Sequence, residues 1–155
     1  MTTNEPGHVL RIGRILGVPR GKAFACWTTA ERLRQWWVPA PWTSPEAELD
    51  FRPGGSNRVV MRSPDGQTFV HQSVFLDIVE NERIVFTDAF TRAWVPSAKA
   101  FITGEVTFAD ASGGTRYDVA VWHWSEADSQ QHEDMGFQAA WSTVIDQMEA
   151  LAKTL

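Results

Sequence analysis

Apolar positions change their period along the chain, and each change marks an element. Over 9–16 they alternate, with Leu10, Ile12 and Ile15 set among His8, Arg11 and Arg14, which predicts a strand with an irregularity at Gly13. The spacing then turns helical. Phe24 and Trp27 share one side of a short helix over 22–27 that Pro19 opens, and Ala30, Leu33, Trp36 and Trp37 mark a second that Thr29 caps and Pro39 and Pro41 stop. Two short helices cannot span a sheet face, so they are expected to fill one end of it. From Ala47 period two returns, and 48–52, 57–63, 68–79, 83–90, 101–109 and 115–124 read as six strands. Pro53-Gly54-Gly55, Pro64-Asp65-Gly66, Glu80-Asn81-Glu82 and Ser112-Gly113-Gly114 supply turns between them, and a longer loop carries Trp94 and Pro96. Connections this short cannot be parallel crossovers, so the sheet is antiparallel.

The last change of period organises the rest. Phe137, Trp141, Val144, Met148, Leu151 and Leu155 recur at steps of four and three, which puts all six on one face of a helix, with Ser142, Thr143, Asp146, Gln147, Glu149 and Lys153 on the other. Ser125 and Asp128 offer a capping signature, so the helix is predicted over 126–155. Gly136 inside it costs about 1 kcal/mol relative to Ala, which implies a kink or a close neighbour there. A face that begins with two large aromatics needs a concave partner. The expected fold is α+β: an antiparallel seven-stranded curved sheet wrapped around the long C-terminal helix, with two short helices after the first strand and a cavity between sheet and helix.

A chain of 155 residues suits a single domain over 1–155, large enough for a core and a pocket together, with 1–7 a flexible lead-in. The net charge is −5 and Lys and Arg are scattered, so the basic face of a nucleic-acid binder is missing. One cysteine, Cys26, excludes an internal disulfide and a cysteine-based zinc cluster, and reads as a buried small hydrophobe. There is no apolar run of signal-peptide length and none approaching the roughly 20 residues of a membrane span, so a cytoplasmic location and no membrane partner are expected. Tryptophan is the outlier, at 27, 36, 37, 42, 94, 122, 124 and 141. Its apolar body and polar N–H favour places where apolar surface meets something partly wet, and a ligand cavity is such a place.

Hairpin registers place His71, Asp88 and His123 toward one end of four adjacent strands. Ile84, Phe86, Asp88 and Phe90 share one side of their strand, as do Tyr117, Val119, Val121 and His123 of theirs; if those sides face the helix, Asp88 and His123 point into the cavity. His71 is the weaker candidate, because both faces of its strand carry apolar residues. A carboxylate and an imidazole in an apolar cavity are the materials of acid–base catalysis. The plainer alternatives are a satisfied buried pair or one member facing solvent. No compact ligand motif supports a metal, and His132-Glu133 reads as structural. There is no Gly-rich phosphate loop and no Ser or Cys nucleophile elbow, and no cofactor is expected. The expected lining is Trp36, Trp37, Met61, Phe86, Phe90, Trp94, Val106, Phe137 and Trp141, with Trp94 at the mouth.

Several local words carry a resemblance: Phe51-Arg52-Pro53-Gly54-Gly55, Met61-Arg62-Ser63-Pro64-Asp65-Gly66, Glu82-Arg83-Ile84-Val85-Phe86-Thr87, and His132-Glu133-Asp134-Met135-Gly136-Phe137 with Trp141 and Asp146-Gln147-Met148 following. Together with the element order they resemble the helix-grip (Bet v 1-like) fold of the START-like (SRPBCC) superfamily, in its AHSA1-like branch related to the activator of Hsp90 ATPase. Gln138-Ala139-Ala140 departs from the family pattern, which often has a histidine first and a glycine before the tryptophan. The superfamily spans lipid carriers, hormone receptors, polyketide cyclases and co-chaperone domains, so the resemblance implies fold more than function. Three readings follow: a pocket for a small hydrophobic or aromatic molecule; a polyketide cyclase-like lyase, isomerase or hydrolase using Asp88 and His123; or a co-chaperone-like ATPase activator. The last is disfavoured because the chain lacks room for the extra domain of full co-chaperones. A homodimer is left open.

Overall fold

A computed structural model describes residues 8–155; the expected flexible lead-in at 1–7 lies outside the described residues. The elements run β1 (Val9–Leu16), α1 (Arg20–Ala25), α2 (Ala30–Leu33), β2 (Thr43–Leu49), β3 (Ser56–Arg62), β4 (Thr68–Val79), β5 (Arg83–Thr87), β6 (Phe90–Arg92), β7 (Val95–Pro96), β8 (Ile102–Ala111), β9 (Gly114–His123), α3 (Glu126–Asp134) and α4 (Phe137–Ala152). Seven strands form one antiparallel sheet in the order β1-β9-β8-β5-β4-β3-β2, and β6 and β7 form a separate ribbon. The first strand therefore returns to pair with the last, Val9 opposite Trp122 through Leu16 opposite Thr115.

Alternation sorts the sheet's inner face as expected: Val106 opposes Val119 and Phe108 opposes Tyr117, and all four are buried. On this face α1 and α4 lay Phe24, Val144, Ile145 and Met148, while Trp27 and Trp36 fill the sheet end between them. Both indoles sit in the core with their N–H groups satisfied, as burial requires. Trp27 Nε1 donates to the Tyr117 hydroxyl at 3.2 Å and Trp36 Nε1 to the Cys26 carbonyl at 2.9 Å. Burial pushes the Tyr117 phenol well above its ordinary pKa and the Cys26 thiol up to about 11. The Cys26 thiol is directed at the Lys22 and Met148 carbonyls.

Four boundaries differ from the sequence expectation, each for a local reason. The second helix ends at Leu33, and Trp36 and Trp37 follow it in a turn, although Thr29 does cap it through Arg32 N–H. The second strand lies at Thr43–Leu49 rather than 48–52, with a bulge between Thr43 and Glu46 that lets an edge strand accommodate Pro45. The fifth strand stops at Thr87 instead of running to 90. There the Thr87 hydroxyl donates to the Ile102 carbonyl, and the Asp88 carboxylate accepts the N–H groups of Phe101 and Ile102, so the side chains terminate the ladder. The single helix over 126–155 is two helices, parted at Gly136, whose φ of +92° lies in the left-handed region.

A Cβ at Gly136 would meet nothing within 4 Å, so the cost of a substitution there lies in the backbone alone. Gly136→Ala is expected to lower unfolding free energy by about 1–2 kcal/mol, measured by urea denaturation, with no change in the slope against urea.

Candidate functional site

A cavity of about 290 Å³ lies between the inner face of the sheet and α4, at the end that α3 and the post-α2 turn cover. The sheet contributes Met61 from β3, His71 from β4, Phe86 from β5 and Ile102 from β8. Helix α4 contributes Ala140, Trp141 and Val144 at helical spacing, and the turn after α2 contributes Trp36, Trp37 and Pro39. His132 and Met135, at the end of α3, complete the wall, and Met135 is exposed.

The turn is held to the helix by one side chain. Gln147 of α4 donates to the carbonyls of Trp36 and Val38 at 3.1 and 2.8 Å, while its own carbonyl accepts Ala40 N–H at 2.9 Å. All three bonds fall on backbone that would otherwise lack partners, so the Trp37 wall is fixed to the Trp141 wall. Trp37 then meets Trp27, Phe86 and Trp141 edge-on, with ring centroids 5.5–6.3 Å apart, and lies tilted over His71 at 5.1 Å.

Gly104 makes room for Phe86. The two are cross-strand partners, and a Cβ on residue 104 would come within 2.6 Å of the Phe86 ring. Gly104→Ala is expected to drive that ring toward the cavity, with a stability loss of about 1–3 kcal/mol by urea denaturation and weaker ligand binding.

Two of the histidines border the space. His71 Nε2 lies 3.1 Å from the buried Ser73 hydroxyl, and burial lowers its pKa to about 4 although the residue keeps some exposure. His132 Nδ1 lies 2.8 Å from His123 Nε2, and His123 Nδ1 lies 3.0 Å from the His8 carbonyl. Burial, and then the neighbouring His123, lower His132 to about 4 as well. Both cavity imidazoles are therefore neutral near pH 7.

The structure brings five of the expected lining residues together, Trp36, Trp37, Met61, Phe86 and Trp141, with His71 among them. Others are placed elsewhere. Asp88 is not paired with His123; its carboxylate holds the backbone at Phe101 and Ile102. His123 is buried behind His132 rather than on the wall. Phe90 and Trp94 belong to the β6–β7 ribbon, which packs on the other side of the sheet: Thr91 accepts from Gln72, whose strand neighbours His71 and Ser73 point inward. Trp94 at its tip is 84% exposed and guards no mouth. Val106 and Phe137 are core residues behind the wall, and Phe137 packs on His132 at 5.1 Å. Gln138 donates to the Arg11 carbonyl at 3.0 Å, outside the cavity.

His132 is the site residue that sequence reasoning set aside. Its signal was the distance from His123: a strand end, a serine cap and two helical turns bring residue 132 back to residue 123. Among the described residues no three His, Cys, Asp or Glu side chains are grouped to hold a metal ion, and no helix is long and apolar enough to cross a membrane.

A family model described as "Activator of Hsp90 ATPase homolog 1-like protein" matches residues 17–153. A crystal structure of a Nitrosomonas europaea protein superposes with a TM-score of 0.92 at 32% identity, covering 97% of each chain. A Mycobacterium smegmatis protein does so with a TM-score of 0.80 at 24% identity, over 94% of this chain and 91% of that one. A Rhodobacter sphaeroides protein reaches 0.82 at 15% identity, over 95% and 93%. The latter two likenesses concern fold alone. No curated protein matches the sequence.

Proposed function

Because the chain belongs to the family of activator of Hsp90 ATPase homolog 1-like proteins and has its helix-grip fold, in which the sheet and last helix frame a cavity, we propose that it binds a small, uncharged, mainly apolar or aromatic molecule there. One observation carries the reading: three indoles, Trp36, Trp37 and Trp141, converge with Met61 and Phe86 on open space instead of closing it. About 290 Å³ sits at the small end of ligand pockets, which run from about 300 to 1,000 Å³. The lining holds neither Lys nor Arg to compensate a ligand anion, and charge without a partner is costly to bury.

A thermal-shift screen against bicyclic aromatics tests this. A true ligand at a hundred times its dissociation constant adds about 2.7 kcal/mol of stability, which for a chain of this size raises the midpoint by roughly 5–10 °C. Trp141→Asp should abolish the rise. A flat response across the panel would sink the proposal.

The His132–His123 pair favours a second reading, an enzyme that moves a proton at the ligand, with His132 in the role that sequence alone gave to Asp88. Mass spectrometry of each hit after incubation separates the readings: unchanged compound supports binding alone, and conversion lost in His132→Gln supports the enzyme.

A further inference from the structure

The polar end of the cavity can be specified further by counting protons on its histidine chain. The His8 carbonyl can only accept, so the hydrogen at His123 Nδ1 is fixed by that 3.0 Å bond. With one hydrogen on each ring, His123 presents a lone pair at Nε2, and the 2.8 Å contact requires His132 to donate from Nδ1. A neutral imidazole has one hydrogen. His132 Nε2 is therefore a bare acceptor, and among the described residues it has no hydrogen-bond partner. His71 carries no such determination, because the Ser73 hydroxyl can donate or accept.

Resting on the binding reading above, we infer that the natural ligand carries a hydrogen-bond donor, a phenolic or enolic hydroxyl or a ring N–H, that docks on His132 Nε2 while its apolar body lies among the indoles. His123 and the His8 carbonyl act as positioning groups that hold His132 in the accepting tautomer. The β9 end supports this geometry twice, since the His8 carbonyl also accepts His123 backbone N–H at 3.0 Å. The rings of Phe101 and Phe137 pack against His132 at 5.2 and 5.1 Å and limit its rotation. A ligand of the same shape without a donor would leave this acceptor unpaired in an apolar site, which disfavours it.

The test compares 1-naphthol with 1-methoxynaphthalene by isothermal titration calorimetry. Naphthol is expected to bind about tenfold more tightly, and His132→Phe should cut that preference to about twofold or less while methoxynaphthalene still binds. Equal affinity of the two compounds, or a preference that survives in His132→Phe, overturns the inference and leaves the binding reading standing. Binding of neither overturns both. A second measurement needs neither ligand nor variant: long-range proton–nitrogen NMR at pH 7 should show His123 and His132 both protonated at Nδ1. A His132 protonated at Nε2 would refute the acceptor assignment.

Discussion

Trp27→Ala is expected to lower the unfolding free energy by about 3–5 kcal/mol. Trp27 is fully buried behind the cavity, touches Trp36, Trp37 and Phe86 at centroid distances of 5.0, 5.5 and 5.9 Å, and donates to the Tyr117 hydroxyl. Truncation removes the largest side-chain volume in the core and orphans a buried hydroxyl together. Native stability of small proteins is about 5–15 kcal/mol, so the variant should be partly unfolded at 37 °C. Trp27→Phe keeps most of the volume and loses the hydrogen bond, and should fall by only about 1–3 kcal/mol. Urea denaturation followed by far-ultraviolet circular dichroism gives both values; a loss below about 1 kcal/mol for the alanine variant would mean that the aromatic cluster closes without Trp27.

The second large effect is with pH. His71 and His132 have folded-state pKa values lowered to about 4, against an ordinary value of about 6.5. As pH falls through 6.5 the unfolded chain takes up protons that the folded one refuses, so the stability these residues contribute is complete above pH 6.5, declines between 6.5 and 4, and is gone below. For His71 the loss is on the order of 3 kcal/mol; His132, less deeply enclosed, adds less. Guanidinium midpoints at pH 7.5 and 5 should differ in the wild type, and His71→Leu should flatten the dependence. The slope is the readout, since losing the Ser73 contact shifts both values alike. An unchanged slope in His71→Leu would show that His71 is solvated in the folded state.

The fold was legible because it rests on periodicity. Alternation at Tyr117, Val119, Val121 and His123 gave the buried face of β9, and the heptad-like steps from Phe137 gave the face of α4. The site was legible only where lining follows from periodicity: Phe86 and Trp141 face the cavity for the same reasons that they face the core. Where local hydrogen bonding competes with period, the reading failed. Asp88 continues the alternation of Ile84 and Phe86, yet its carboxylate finds two backbone N–H groups and ends the strand, which carries Phe90 and Trp94 to the opposite side. Nothing in the spacing of apolar residues signals that a side chain prefers its own backbone. His132 was hidden differently. Its partner His123 lies across a helix cap, and the turn of the chain at Ser125 decides whether the two rings meet.

Cys26 turns the folded protein into its own clock. A thiol with its pKa raised to about 11, fully shielded and directed at two carbonyls, offers almost no thiolate to an alkylating reagent. It is the only cysteine in the chain, so every labelling event reports one place, the seam between α1 and α4. Labelling at neutral pH therefore counts openings of that seam, and a ligand that bridges the α4 wall to the turn after α2 slows the count without touching the sulfur.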